Sequence, residues 1–247
     1  MPGKGLGGNI LSEGMANFSA WMLTRECRGD EAAQHVLREW ENTYVNQRSA
    51  DSERPMYRIS GSRPGDQTVT YDKGGWVFSM MMNHPDVMGK DAMLAGLKEF
   101  IAKFENGPDF PLLQDFVAVM RTHATNLPAF DAFTKQWFER VVLPEFKLRD
   151  VVVTGPVGEP PVWTTTATIA NVGTGLVTID VGAMKAKIAG DEKPQERVLT
   201  QVTLGPDGTA ESTKAIEIKS PFDPESVVVD PNVCMLQTRR KLATWKK

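Results

Sequence analysis

Two short strings carry residues whose types suit chemistry as well as packing. Leu11-Ser12-Glu13-Gly14-Met15-Ala16-Asn17-Phe18 places a carboxylate at the head of an apolar segment. A carboxylate in the first turn of a helix is favoured by the helix dipole, so Glu13 alone is explained by local electrostatics. Thr70-Tyr71-Asp72-Lys73-Gly74-Gly75 follows a polar stretch and opens an apolar run through Trp76, Val77, Phe78, Met80 and Met81. Tyr71 alone reads as an aromatic packed at a helix start. No complete active site is spelled out: there is no GxSxG, P-loop or Rossmann glycine pattern. The histidines are His35, His84 and His123, and none is spaced as an HExxH pair. His35 is expected on the solvated face of a charged helix. His84 and His123 lie near helix C-termini, where an imidazole can meet terminal carbonyls. Cys27 and Cys234 form no CxxC and are predicted to be buried or half-buried free thiols.

The elements that must carry these strings divide the chain into two halves. Residues 11 to about 143 read as helical. Met15, Phe18, Met22 and Leu23 recur at helical spacing after Ser12-Glu13. Asp30 is a predicted N-cap, followed by a stripe of Val36, Leu37, Trp40 and Tyr44. Asp91 opens a helix with Met93, Leu94, Leu97, Phe100, Ile101 and Phe104 on one face, ended by Gly107-Pro108. Two more helices are predicted over 111–122, with Phe116, Val117 and Met120 inward, and over 128–142, with Phe130, Phe133, Trp137, Phe138 and Val141 inward, stopped by Pro144. Residues 46–69 are polar and turn-rich and read as a long surface loop, a candidate rim for a site. From Phe146 the runs become short and β-branched: 151–153, 163–169, 176–181, 197–204 and 215–218, separated by Gly/Pro/Asn turns. This spacing predicts a small antiparallel sandwich.

Composition excludes several classes. The chain has 247 residues, a net charge of −3 and 41% hydrophobic residues, long enough to bury a core without disulfides. A basic patch of the kind that binds nucleic acid is not expected. No run approaches the ~20 apolar residues of a membrane span, and Met1–Gly8 is Gly-rich with no signal-peptide pattern.

The order of the strings carries a resemblance. SEGMANFSA at Ser12–Ala20 and TYDKGG at Thr70–Gly75, followed by Gln114-Asp115-Phe116 and the Phe133–Phe138 segment with Gln136-Trp137, resemble the zinc aminopeptidases of the aminopeptidase N family, which are gluzincin metallopeptidases. The likeness covers roughly residues 2–148. It implies a helical C-terminal part of a thermolysin-like catalytic domain over 1–145 and a β-sandwich domain over 146–247. It also implies the reaction, hydrolysis of the N-terminal peptide bond of a peptide substrate. Carried over, Glu13 matches the third zinc ligand, and Tyr71 matches the tyrosine that hydrogen-bonds the developing oxyanion. Carboxylate oxygen is an ordinary zinc donor, and a phenol donates without carrying charge. Lys73 is given a structural role.

The departure is that twelve residues precede Glu13. The family spacing would put HExxH and the general-base glutamate ahead of residue 1. The implied chain binds no zinc by itself and is inactive alone, because one carboxylate cannot replace several preorganised donors. Its expected partner is the missing N-terminal catalytic portion or a second copy, drawn by an exposed apolar surface. The alternative is a non-catalytic interaction or scaffold module of the same fold. Few cysteines fit the cytoplasm, whereas some relatives are membrane-attached, so the compartment stays open.

Overall fold

In the computed structural model the chain is α+β, with residues 3–107, 109–186 and 195–247 described. It divides into two compact units, Met1–Val142 and Leu143–Lys247.

The helical unit is built around its most apolar segment. A π-helical turn at Ile10–Gly14 runs straight into α1 (Met15–Arg28). Gly29, at φ +84, reverses the chain into α2 (Asp30–Gln47), a backbone that only glycine adopts without strain. The cap is therefore Gly29 and not Asp30. The Asp30 carboxylate instead accepts from the Arg25 guanidinium at 2.8 Å. After a linking stretch, α3 (Asp66–Thr68) leads into a second π-helical turn, Val69–Lys73, and then α4 (Gly74–Asn83). α5 (Gly89–Phe104), α6 (Leu113–His123) and α7 (Leu127–Trp137) complete the unit. Residues 74–82 of α4 are all buried, as an all-round apolar helix must be. Phe78 sits at the centre, with ring centroids 5.1 Å from Phe116, 6.1 Å from Phe18 and 6.4 Å from Phe138. Trp76 lies wholly inside, and its indole N–H donates to the Leu37 carbonyl at 2.7 Å.

Several expectations are corrected. Leu23, Leu94 and Ile101 point to solvent although their spacing fits the inward stripes. On each helix the buried arc is narrower than the apolar arc, because neighbours cover only part of it. The helix from residue 128 stops at Trp137, before Val142. The Gly107-Pro108 stop includes Pro108, which lies outside the described residues. Both thiols are exposed rather than buried or half-buried.

The second unit holds two antiparallel sheets. The strands are β1 (Phe146–Val157), β2 (Val162–Asn171), β3 (Val177–Met184), β4 (Arg197–Leu204), β5 (Thr213–Ser220), β6 (Ser226–Val229) and β7 (Thr244–Lys246). Their spatial orders are β1-β2-β5 and β4-β3-β6-β7. β1 extends well beyond residues 151–153, with register shifts between Arg149 and Val152 and between Thr154 and Val157. The Asn-Val-Gly-Thr-Gly turn is organised by wholly buried Asn171. Its amide accepts from Gly173 N at 3.0 Å and donates to the Gly175 and Gly205 carbonyls at 3.1 and 3.0 Å. Gly173 is required there, since a Cβ would lie 2.5 Å from both Glu145 N and the Leu143 carbonyl. Asp230, in the left-handed region at φ +57, accepts from the Cys234 and Met235 amides and from Arg240, and so ties down the chain beyond β6.

No helix among the described residues is long and apolar enough to cross a membrane.

Candidate functional site

The two chemistry-bearing strings come together at the two π-helical turns. Glu13 is in the first and Tyr71 in the second. Each turn closes through an amide that reaches five residues back: Met15 N–H to the Ile10 carbonyl, and Gly74 N–H to the Val69 carbonyl. Such π-bulges carry one extra residue and occur frequently at functional sites.

Glycine lets the turns touch. A Cβ on Gly14 would sit 2.8 Å from the Thr70 carbonyl oxygen and 3.2 Å from Gly74 Cα. A Cβ on Gly75 would sit 2.9 Å from the Trp40 ring and 3.0 Å from Asn17 Cβ. Asn17 fixes the crossing by donating its side-chain amide to the Tyr71 carbonyl at 3.1 Å. With the backbones this close, the Tyr71 phenol lies near enough to the Glu13 carboxylate to feel its charge. Both side chains remain half-exposed. The Glu13 carboxylate, with a smaller contribution from burial, favours the protonated phenol and raises the Tyr71 pKa above its ordinary value.

Behind the exposed pair lies a buried ionic cluster. Lys73, the last residue of the second π turn, reaches Glu53 Oε1 at 2.7 Å and the Tyr44 hydroxyl at 3.2 Å. The side chains of Lys73 and Glu53 are each 1% exposed, so the pair is desolvated. Glu53 also accepts from the Tyr44 hydroxyl and, at 2.6 Å, from Arg48 Nε. Burial pushes the Glu53 carboxyl up, but Lys73, Tyr44 and Arg48 together outweigh this and hold it below its ordinary value. Burial pulls the Lys73 ammonium down against the opposing pull of Glu53. Burial also raises Tyr44 well above the ordinary phenol value. Asp72, on the same turn, is buried and held by the Thr68 hydroxyl at 2.6 Å; burial raises its pKa.

Residues 46–69 are therefore more than a solvated loop. Besides Glu53, Asp66 is buried and accepts from Arg54 at 2.6 Å and from Gly61 N at 3.0 Å. Met56 and Ile59 enter the core. Sequence reasoning missed Glu53, Arg48 and Tyr44 as site-supporting groups. Charged residues in a Pro- and Ser-rich stretch carry no periodicity to mark them.

The remaining candidates serve other ends. His35 is exposed, and His123 pairs with Glu99 at 2.7 Å. The His84 carbonyl accepts from the amides of Val87, Met88 and Gly89 and so organises the turn into α5. Asp115 caps α6 by accepting from Leu112 N, and Phe133 and Trp137 pack together with centroids 6.2 Å apart. Among the described residues no group of three His, Cys, Asp or Glu side chains is arranged to hold a metal. Glu13 can supply one donor to a zinc ion whose other ligands lie elsewhere.

Compared with known proteins, the sequence matches no family model and no curated protein.

The Glu13–Tyr71 pair makes a direct prediction. The chain has three tyrosines, so phenol ionisation followed by ultraviolet absorbance resolves few steps. Burial raises Tyr57 to about 12 and Tyr44 well above its ordinary value. Tyr71 should ionise first. In Glu13→Gln that first step should move to lower pH, because the anionic neighbour that favours the protonated phenol is gone. An unmoved first step would show that the two groups do not interact in solution.

Proposed function

We propose that this chain is the C-terminal part of a zinc aminopeptidase similar to the aminopeptidase N family. In this reading the helical unit belongs to a thermolysin-like gluzincin catalytic domain, and the two sheets form a β-sandwich domain. The observation that carries it is the meeting of Glu13 and Tyr71, far apart in sequence, on two crossing glycine-hinged turns. Glu13 supplies one oxygen donor for zinc. Tyr71 offers a neutral O–H beside that carboxylate, where a donor can stabilise the oxyanion that forms when the scissile carbonyl is attacked. Zinc, when bound in the complete enzyme, supplies Lewis-acid polarisation and an activated water. In this reading the donors among the described residues do not complete such a site, the HExxH-bearing segment and a peptide substrate are the chain's partners, and the chain alone is inactive.

A second reading has its own support. The Glu13 carboxylate already has the neutral Tyr71 phenol as its neighbour, and among the described residues no further metal donors surround it. That favours an interaction or scaffold module.

One assay separates the readings. The purified chain is mixed with a polypeptide bearing HExxH and the upstream family segment, with zinc, and cleavage of an aminoacyl fluorophore is followed. The enzyme reading expects no turnover from the chain alone and turnover from the mixture. Tyr71→Phe should then lower kcat by about 10²–10³-fold, the usual cost of one oxyanion donor. No turnover from the mixture leaves the scaffold reading. Stoichiometric zinc and turnover from the chain alone would show that other ligands complete the site.

A further inference from the structure

We propose that the buried Lys73–Glu53 ion pair, closed by Tyr44 and Arg48, is the positioning element that holds the π-helical register of residues 69–73 and thereby keeps Tyr71 against Glu13. The placement stands on geometry; its value for hydrolysis rests on the aminopeptidase reading above.

A π turn is intrinsically poorer than α-helix and persists where its surroundings impose it. A one-residue slip into α-register would rotate the downstream side chains about the helix axis by ~100°. Such a slip would carry Tyr71 off Glu13 and withdraw Lys73 from Glu53, leaving two opposite charges apart in an apolar interior. The ends of the tether come from outside the turn. Tyr44 lies in the last turn of α2, Arg48 directly succeeds that helix, and Glu53 lies in the chain beyond it. On the other side, Asn17 of α1 holds the Tyr71 carbonyl at 3.1 Å. The turn is thus clamped between α1 and the end of α2, with Tyr71 on the exposed side and Lys73 on the buried side. A buried ion pair adds little net stability over well-packed apolar side chains, whereas fixing a register is its best-attested use.

The test is the paired variant Lys73→Met/Glu53→Leu, which removes both charges while keeping volume. NMR of protein carrying ¹³C-labelled tyrosine reads three rings. In the native chain, the nuclear Overhauser contact between the Tyr71 ring and the Glu13 methylenes should be present, and Glu13→Gln should shift the Tyr71 signals. In the paired variant, with the melting temperature little changed, that contact should vanish and Glu13→Gln should no longer move the Tyr71 ring. Amide exchange across 69–73 should speed by at least tenfold, with α5 and α6 unaltered. A purely structural pair would change melting temperature and leave the Tyr71–Glu13 contact intact, which would overturn the proposal. Should the paired variant not fold, Tyr44→Phe/Arg48→Met strips two donors from Glu53 and keeps Lys73. Weaker contact and several-fold faster exchange at 69–73 are then expected, and native values overturn the proposal. These readouts need neither zinc nor turnover, so failure here is seen separately from failure of the aminopeptidase reading.

Discussion

Glu53→Gln should destabilise the helical unit by about 3–5 kcal/mol, the range for breaking a buried ion pair by removing one partner. The loss is large because Lys73 would stay 1% exposed with only neutral acceptors, the new amide oxygen and the Tyr44 hydroxyl, around its charge. Lys73→Met should cost less, near the lower end of that range, since Arg48 at 2.6 Å still balances Glu53. The two proteins should also differ in pH dependence. In the native chain the Glu53 pKa is depressed, so its contribution is fully present above the ordinary carboxylate pKa and is lost as pH falls through the folded value. The raised pKa of Asp72 works in the opposite sense and softens this acid loss. In Glu53→Gln the acid-sensitive contribution disappears and the buried ammonium dominates. A lysine whose folded pKa lies below its unfolded value, ~10.4, binds fewer protons when folded, so stability rises as pH climbs through the folded value. Urea unfolding at pH 5, 7 and 9 checks both signs. A variant that gains nothing between pH 7 and 9 would show that Lys73 finds another partner or reaches water.

Gly14→Ala should destabilise by about 1–2 kcal/mol, against the usual direction for a helical glycine. Its backbone, at φ −62, is one any residue adopts, and helix propensity alone would favour alanine by ~1 kcal/mol. The new methyl would meet the Thr70 carbonyl at 2.8 Å and Gly74 Cα at 3.2 Å. Both are backbone atoms of the crossing turn and cannot rotate away, so overpacking of ~1–3 kcal/mol outweighs the propensity gain. The turns would be pried apart at the point where Glu13 meets Tyr71, so the Tyr71 ionisation step should fall toward that of Glu13→Gln. Urea unfolding and the phenol titration should change together. A stabilised Gly14→Ala with an unmoved titration would show that the crossing is looser than the contacts imply.

The helices of the first unit were legible because their apolar residues recur at helical spacing, and α4 because it is apolar all round. Leu94 and Ile101 show where periodicity stops informing: spacing marks an apolar stripe, but how much of it a neighbour covers depends on tertiary packing. β1 was read too short because Lys147, Arg149 and Asp150 interrupt the β-branched run, although an edge strand tolerates such residues. At the candidate site, Glu13 and Tyr71 could be named from their strings. That both sit in π turns could not, since the extra residue leaves no compositional mark. Glu53 was hidden more deeply: a carboxylate between Ser52 and Arg54 has every local sign of a solvated loop. Its burial depends on Lys73 arriving from another element.

The paired π turns also bear on how the two strings can vary in length. Each turn stores one residue beyond the α-helical count, so the chain after it leaves at an azimuth that an unbroken helix would not produce. Deleting one residue from 10–14 would convert that turn to regular helix and swing Glu13 around its axis relative to α1. Deleting one from 69–73 would do the same to Tyr71 and pull Lys73 out of its socket. Substitutions on the exposed faces nearby, such as at Ala16 or Gln67, leave that geometry intact. Over these two stretches, spacing is under tighter constraint than side-chain identity, and a one-residue indel is a far larger change than most point substitutions.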